Sequence, residues 1–209
     1  MLACENKIHK TGRPKNSGNG AARPLTNDEV HRVMSNCYGA YGLRNRAIMA
    51  FSFHGGMRIG TILKLTNHQV LDENNKIRSN IVVLANEEKS NRSHRYYLSH
   101  QGQSIINDYV VSLLSGGDSH SPFFPSPKTG GFISSSAGSR LVRNLFIKSG
   151  ITDTSSHSGR KTFAKSLIDN GVGIAELSLI LNHSSPTQTM KYVGNLKPQI
   201  DRAIINLTY

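Results

Sequence analysis

Apolar residues recur at helical spacing along most of the chain, and a β-branched run stands out only once. After Pro24, Thr26 followed by Asp28 and Glu29 has the form of a helix start, and Val30, Val33 and Met34 supply the apolar spacing. A second helix is predicted over residues 43–54, with Ala47, Ile48 and Phe51 in a largely buried run that Gly55-Gly56 ends. A third opens near Arg58 and turns Ile59, Ile62, Leu63 and Leu65 inward. The run at 81–84, a polar stretch at 86–94 and then Arg95-Tyr96-Tyr97-Leu98 predict a β-hairpin with a basic loop. Helix returns over 103–114, where Ile105, Ile106, Tyr109, Val110 and Leu113 repeat at the right interval. Gly, Ser and Pro then make a loop over about 116–131. Helices follow over 135–149, 156–170 and 174–182, with a short one after Pro186 and a weakly amphipathic tail carrying Ile200, Ile204, Ile205 and Leu207. The expected fold class is mainly α with a small antiparallel β-hairpin, an α+β protein.

Length and composition narrow the class. The 209 residues suit one domain, or one domain and a short appendage. The apolar fraction of 37% is low but evenly spread, and no stretch approaches the ~20 apolar residues of a membrane span. No signal peptide is visible at the start. Cys4 and Cys37 make neither a metal spacing nor a disulfide framework, so a reducing, cytoplasmic setting is expected, with no metal and no cofactor.

Charge changes the picture more. Twenty-five Lys and Arg oppose thirteen Asp and Glu, a net charge of +12 that calls for a polyanionic partner. Residues 1–24 hold Lys7, Lys10, Arg13, Lys15 and Arg23 against Glu5 alone, among Gly, Pro, Asn and Ser, and read as a flexible basic arm. A second excess lies over residues 140–165, where Arg140, Arg143, Lys148, Arg160, Lys161 and Lys165 face only Asp153. Any single lysine here is ordinarily a solvated surface residue, but an excess of this size is an electrostatic footprint.

Candidate chemistry gathers at two arginines, two histidines and a late tyrosine. Arg58 follows Gly55-Gly56-Met57 at a helix start, and Arg160 lies in the first turns of another helix, within Ser156-His157-Ser158-Gly159-Arg160. Helix N-termini concentrate unpaired backbone N–H groups, and a guanidinium grips two phosphoryl oxygens at once. His157 and Arg160 are three residues apart and are expected to share a helix face. The other tyrosines, Tyr38, Tyr41, Tyr96, Tyr97, Tyr109 and Tyr209, are expected to be packing residues.

Three stretches carry a family resemblance: Phe53-His54-Gly55-Gly56-Met57-Arg58-Ile59, His157-Ser158-Gly159-Arg160, and Leu181-Asn182-His183-Ser184-Ser185 with Tyr192. Their order and spacing resemble the tyrosine recombinase (phage integrase) family, and the likeness runs over roughly residues 24–195. The resemblance implies a tyrosine recombinase catalytic domain over 24–195, preceded by the arm at 1–23 and followed by a tail at 196–209 that either docks on a neighbouring protomer or caps the core of its own chain. It implies that Arg58 and Arg160 hold a scissile DNA phosphate and that Lys89, in the hairpin loop, is the mobile lysine. His157 and His183 fill the two histidine positions, and Tyr192 is the nucleophile of a 3′-phosphotyrosine intermediate. Lys7, Lys10, Arg13, Lys15, Arg92, Arg95, Arg140, Arg143 and Lys161 are the cations expected to hold the duplex. The implied partners are double-stranded recombination sites, four protomers acting as a pair of dimers on DNA from a monomeric free state, and accessory DNA-bending proteins. The implied setting is the nucleoid of a bacterium, or of a phage or plasmid host.

The same residues leave open a type IB topoisomerase-like enzyme that rejoins the strand it cut, and a DNA-binding regulator that no longer cuts. Two departures stand out. Thr61 occupies the position three after Arg58, where many members carry an acidic residue. Larger members also place a helical clamp domain ahead of the catalytic one, where these residues read as a basic arm, as expected of a short member or of a fragment of a longer one.

Overall fold

A computed structural model describes residues 22–86, 92–113, 118–183 and 185–193. The arm cations Lys7, Lys10, Arg13 and Lys15, the hairpin-loop Lys89, the tail and Tyr209 lie outside the described residues, as does the side chain of Tyr192. The elements run α1 (Asn27–Ser35), α2 (Gly42–Gly55), α3 (Ile59–Ile62), α4 (Asn67–Val70), β1 (Asn80–Val83), β2 (His94–Tyr97), α5 (His100–Ser112), α6 (Ser135–Lys148), α7 (Ser158–Asp169), α8 (Ile174–Ile180) and α9 (Pro186–Val193). Mainly helical with one two-stranded antiparallel sheet, the fold matches the class expected from the pattern.

Local chemistry accounts for most of the boundaries. The Thr26 hydroxyl accepts from the Glu29 N–H, and the Glu29 carboxylate accepts from the Thr26 N–H, a reciprocal box that starts α1. Arg23, read as the last cation of the arm, grips the same carboxylate with both Nη atoms, at 2.7 and 2.6 Å. That hydrogen bonding pushes the Glu29 carboxyl down to about 2. α5 begins at His100, ahead of the expected 103, because Ser99 caps it through the Gly102 N–H. α4 escaped the periodicity because it is a single turn, although Thr66 and Gln69 form a capping box that marks it.

The core forms around α2, whose Ala47, Ile48, Met49, Ala50 and Phe51 are all closed off from solvent. A helix apolar on every side belongs inside, and α2 packs on α3, α5 and α7. The Gly-, Ser- and Pro-rich segment before α6 is more than a loop. Its Phe123 and Phe124 are fully buried, meet Phe51 edge-on at 6.1 and 5.9 Å, and are closed by Tyr109, whose hydroxyl donates to the Phe123 carbonyl. The packing role expected of the tyrosines holds for Tyr96 and Tyr109 but not for Tyr38, Tyr41 and Tyr97, which are 70%, 50% and 62% exposed. Tyr38 and Tyr41 lie at the α1–α2 turn beneath Lys148 and Arg44, and Tyr97 points off the open face of the sheet.

A second, smaller cluster of Ala164, Ile168, Leu177 and Leu181 joins α7 and α8 beside the main core. α7 carries this cluster and also packs on α2, so closely that a Cβ on Gly159 would come within 2.3 Å of the Ser52 hydroxyl. Gly56 ends α2 in the left-handed region at φ +63°, and a Cβ there would come within 2.4 Å of the Phe163 ring. Gly56→Ala is expected to cost about 2–4 kcal/mol, combining backbone strain with overpacking. Urea denaturation checks this; an unchanged midpoint would mean that α7 is not seated on this turn. Among the described residues no helix is long and apolar enough to cross a membrane.

Candidate active site

The four candidates with described side chains, Arg58, His157, Arg160 and His183, come together where the ends of α2, α7 and α8 meet. Arg58 is the extended N-cap of α3, two residues after the left-handed Gly56. It lines a cavity of about 430 Å³ with Thr61, Lys64, Asn86, Ser139 and His157. His157 is exposed and is itself the N-cap of α7, with its backbone N–H on the Ser155 hydroxyl at 3.1 Å. Arg160, one turn on, is only 1% exposed. His157 has helical dihedrals and accepts the Lys161 N–H at 3.0 Å; it is exposed at the cavity, while Arg160 is buried.

Arg160 has structural duties where it lies. Its Nη1 donates to the Gly56 carbonyl at 2.6 Å, and its Nη2 donates to the Leu181 carbonyl. One buried guanidinium therefore joins the turn ahead of Arg58 to the turn ahead of His183. A planar fork with several N–H donors suits a bridge between two carbonyls. The last turn of α8 takes a further bond from the hairpin, where the His94 Nε2–H donates to the Ile180 carbonyl at 3.0 Å and the His94 ring stands edge-on to Tyr96. Asn182 follows at φ +48°, the left-handed C-terminal position that asparagine tolerates, and this swings His183 back toward Arg160.

His183 is half-buried, and its Nδ1 lies 2.9 Å from the Thr189 hydroxyl of α9. Burial pushes the ring down to about 4, with the Arg160 and Arg58 charges adding to the effect. Both arginines thus bear on this one imidazole, which is neutral at pH 7. Histidine NMR is expected to show it titrating near pH 4 in the free protein. The unfolded chain takes that proton near the ordinary value of 6.5, so stability falls as pH falls from about 6.5 to about 4 and levels off below. A midpoint at or above 6.5 would refute the burial of the ring beside these two charges.

The cations expected to hold a polyanion are spread around these elements. Arg92 and Arg95 are exposed on the hairpin and Arg140 and Arg143 on α6, whereas Lys161 is half-buried, with burial lowering its pKa. Arg140 shares a shallow recess with Asn45, Asn144 and Lys148. The largest cavity described, about 710 Å³ between α4 and the 119–125 segment, holds none of the candidate residues.

A family model described as the phage integrase family matches residues 23–198. The chain belongs to the phage integrase family. It is 30% identical over 151 residues to a probable integrase/recombinase, YoeC, of Bacillus subtilis, covering 72% of this chain and 77% of that one. Transposase A from transposon Tn554 of Staphylococcus aureus is 28% identical over 183 residues, and the match takes in 85% of this chain but only 50% of the transposase. Among solved structures, the XerA recombinase superposes with a TM-score of 0.72 at 23% identity, over 94% of this chain and 68% of that one. That likeness bears on the fold, and it agrees with the helical layout around a single hairpin.

Within this phage integrase domain, three side chains escaped the sequence reading. Lys64 lies two turns after Arg58 and lines the same cavity. His94 and Thr189 tie down the turn that carries His183. The spacing from His183 to Thr189 and on to position 192, one turn further along α9, is the only local signal that pointed to any of them.

Proposed function

We propose that this protein is a site-specific DNA recombinase that cuts and rejoins strands through a 3′-phosphotyrosine. The observation that carries the reading is the convergence of Arg58, Arg160 and His183 on one spot, held by the buried Arg160 clamp. In the proposed step the Tyr192 hydroxyl attacks a phosphodiester. A tyrosyl O–P bond forms, the P–O5′ bond breaks, His157 assists removal of the phenolic proton, and Lys89 protonates the departing 5′-oxygen. Negative charge grows on the non-bridging oxygens, where two guanidinium groups and a neutral imidazole donor stabilise it. Phenol ordinarily ionises near 10, and a strongly cationic pocket favours its phenolate.

Retaining the phosphate on the enzyme lets the 5′-hydroxyl of another strand reverse the step on a new partner. Four such sites working in pairs would exchange strands through a Holliday junction, with Lys7, Lys10, Arg13, Lys15, Arg92, Arg95, Arg140, Arg143 and Lys161 holding duplex backbone. A nicked suicide duplex of randomised sequence tests the reading, because loss of the short 5′-hydroxyl fragment traps the covalent adduct. Adduct followed by junction formation between two sites supports recombination. Adduct with supercoil relaxation and no junctions supports the topoisomerase-like alternative, and binding without adduct supports the regulator.

A further inference from the structure

We propose that Thr189 is a positioning residue that fixes the His183 imidazole as its Nε2–H tautomer, so that the ring offers a hydrogen and not a lone pair to a phosphate oxygen. The inference rests on the recombinase reading for its purpose, but its physical content stands on the hydrogen bond alone. Thr189 is completely buried, and among the described residues its hydroxyl has one partner, the Nδ1 of His183 at 2.9 Å. A hydroxyl brings one hydrogen and must place it when water is excluded. If Nδ1–H donated to the Thr189 oxygen, the hydroxyl hydrogen would be buried without an acceptor. If the hydroxyl donates instead, the Nδ1 lone pair is satisfied, and the single hydrogen of the neutral ring must sit on Nε2.

The surroundings agree. Burial and the charges of Arg160 and Arg58 keep the ring neutral at pH 7, so a choice between tautomers exists to be made. With Nδ1 engaged by Thr189, the bond sets which ring nitrogen carries the hydrogen. Two positive groups stand beside the ring, and an anion drawn to them would meet a repulsive lone pair if the other tautomer were present. Thr189 also shares α9 with position 192, one turn away, so a single helix brings both the expected nucleophile and the group that orients His183.

The test uses the full chain with ¹⁵N-labelled histidine rings, assigning His183 by the loss of its signals in His183→Gln. Wild type is expected to show the Nε2–H pattern. Thr189→Val, which keeps the shape and removes the hydroxyl, is expected to show a mixture, and Thr189→Ser to restore the wild-type pattern. On the randomised suicide duplexes, Thr189→Val is expected to slow adduct formation roughly 10- to 100-fold, the loss of one hydrogen bond to a charged group. Its DNA affinity should stay within about twofold, and Thr189→Ser should recover most of the rate. An Nδ1–H pattern in wild type overturns the proposal without any variant. So does a Thr189→Val protein with unchanged tautomer and rate. If wild type itself forms no adduct, the recombinase reading fails, and the wild-type ring spectrum still decides the role of Thr189.

Discussion

Arg160→Ala is expected to abolish adduct formation and, unlike most active-site substitutions, to destabilise the fold by about 3–5 kcal/mol. The guanidinium is buried and donates to the carbonyls of Gly56, which adjoins Met57 of the main core, and of Leu181, in the smaller α7–α8 cluster. Truncation leaves both carbonyls without that donor, opens a void, and frees the turns carrying Arg58 and His183 to drift apart. Arg160→Lys sharpens the test. A single ammonium keeps the charge but cannot span two carbonyls and a ligand, so part of the stability returns while the rate stays depressed by about 100-fold or more. Urea denaturation and single-turnover trapping on a suicide duplex measure the two effects separately. Full stability in Arg160→Ala would show that the clamp holds nothing, and the residue would then be left with a phosphate role alone.

Tyr192→Phe is expected to remove the adduct entirely, a loss beyond about 10⁴-fold, while leaving DNA binding and the melting midpoint near wild type. One oxygen separates the two side chains, and that oxygen is the proposed nucleophile. Of the other described tyrosines, Tyr96 and Tyr109 are closed off in the core, Tyr38 and Tyr41 lie at the α1–α2 turn beside Lys148 and Arg44, and Tyr97 stands exposed on the hairpin. Mass spectrometry of the trapped complex identifies the modified residue. An adduct on any other residue, or one that persists in Tyr192→Phe, would sink the assignment of this nucleophile.

Helix positions were legible in the sequence wherever the signal was short-range. The Thr26–Glu29 box, the Gly56 break and the apolar repeat of α2 each act within a turn or two, and each element appears where its residues call for it. Length limited the reading at α4, because a four-residue helix is too short to show a period. Environment limited it at Phe123 and Phe124, which sit among Pro, Ser and Gly yet are drawn into the core by Phe51 and Tyr109 from distant elements. Tyr97 shows the converse. Its strand position looks favourable for packing, but a two-stranded sheet covers one face only, and Tyr97 stands on the other.

By itself the sequence determined which chemical groups are present, their order and their spacing, and with them the membership of the phage integrase family. Those properties survive in one dimension because caps, breaks and motifs are local. Only the tertiary structure decided that Arg160 is a buried clamp, that His94 braces the α8 turn from the hairpin, and that Thr189 meets the ring of His183. Arg160 and Gly56 are 104 residues apart, and His94 and Ile180 are 86 apart. Contacts at that range depend on how whole helices pack, and so do the burial and the neighbouring charges that hold His183 neutral.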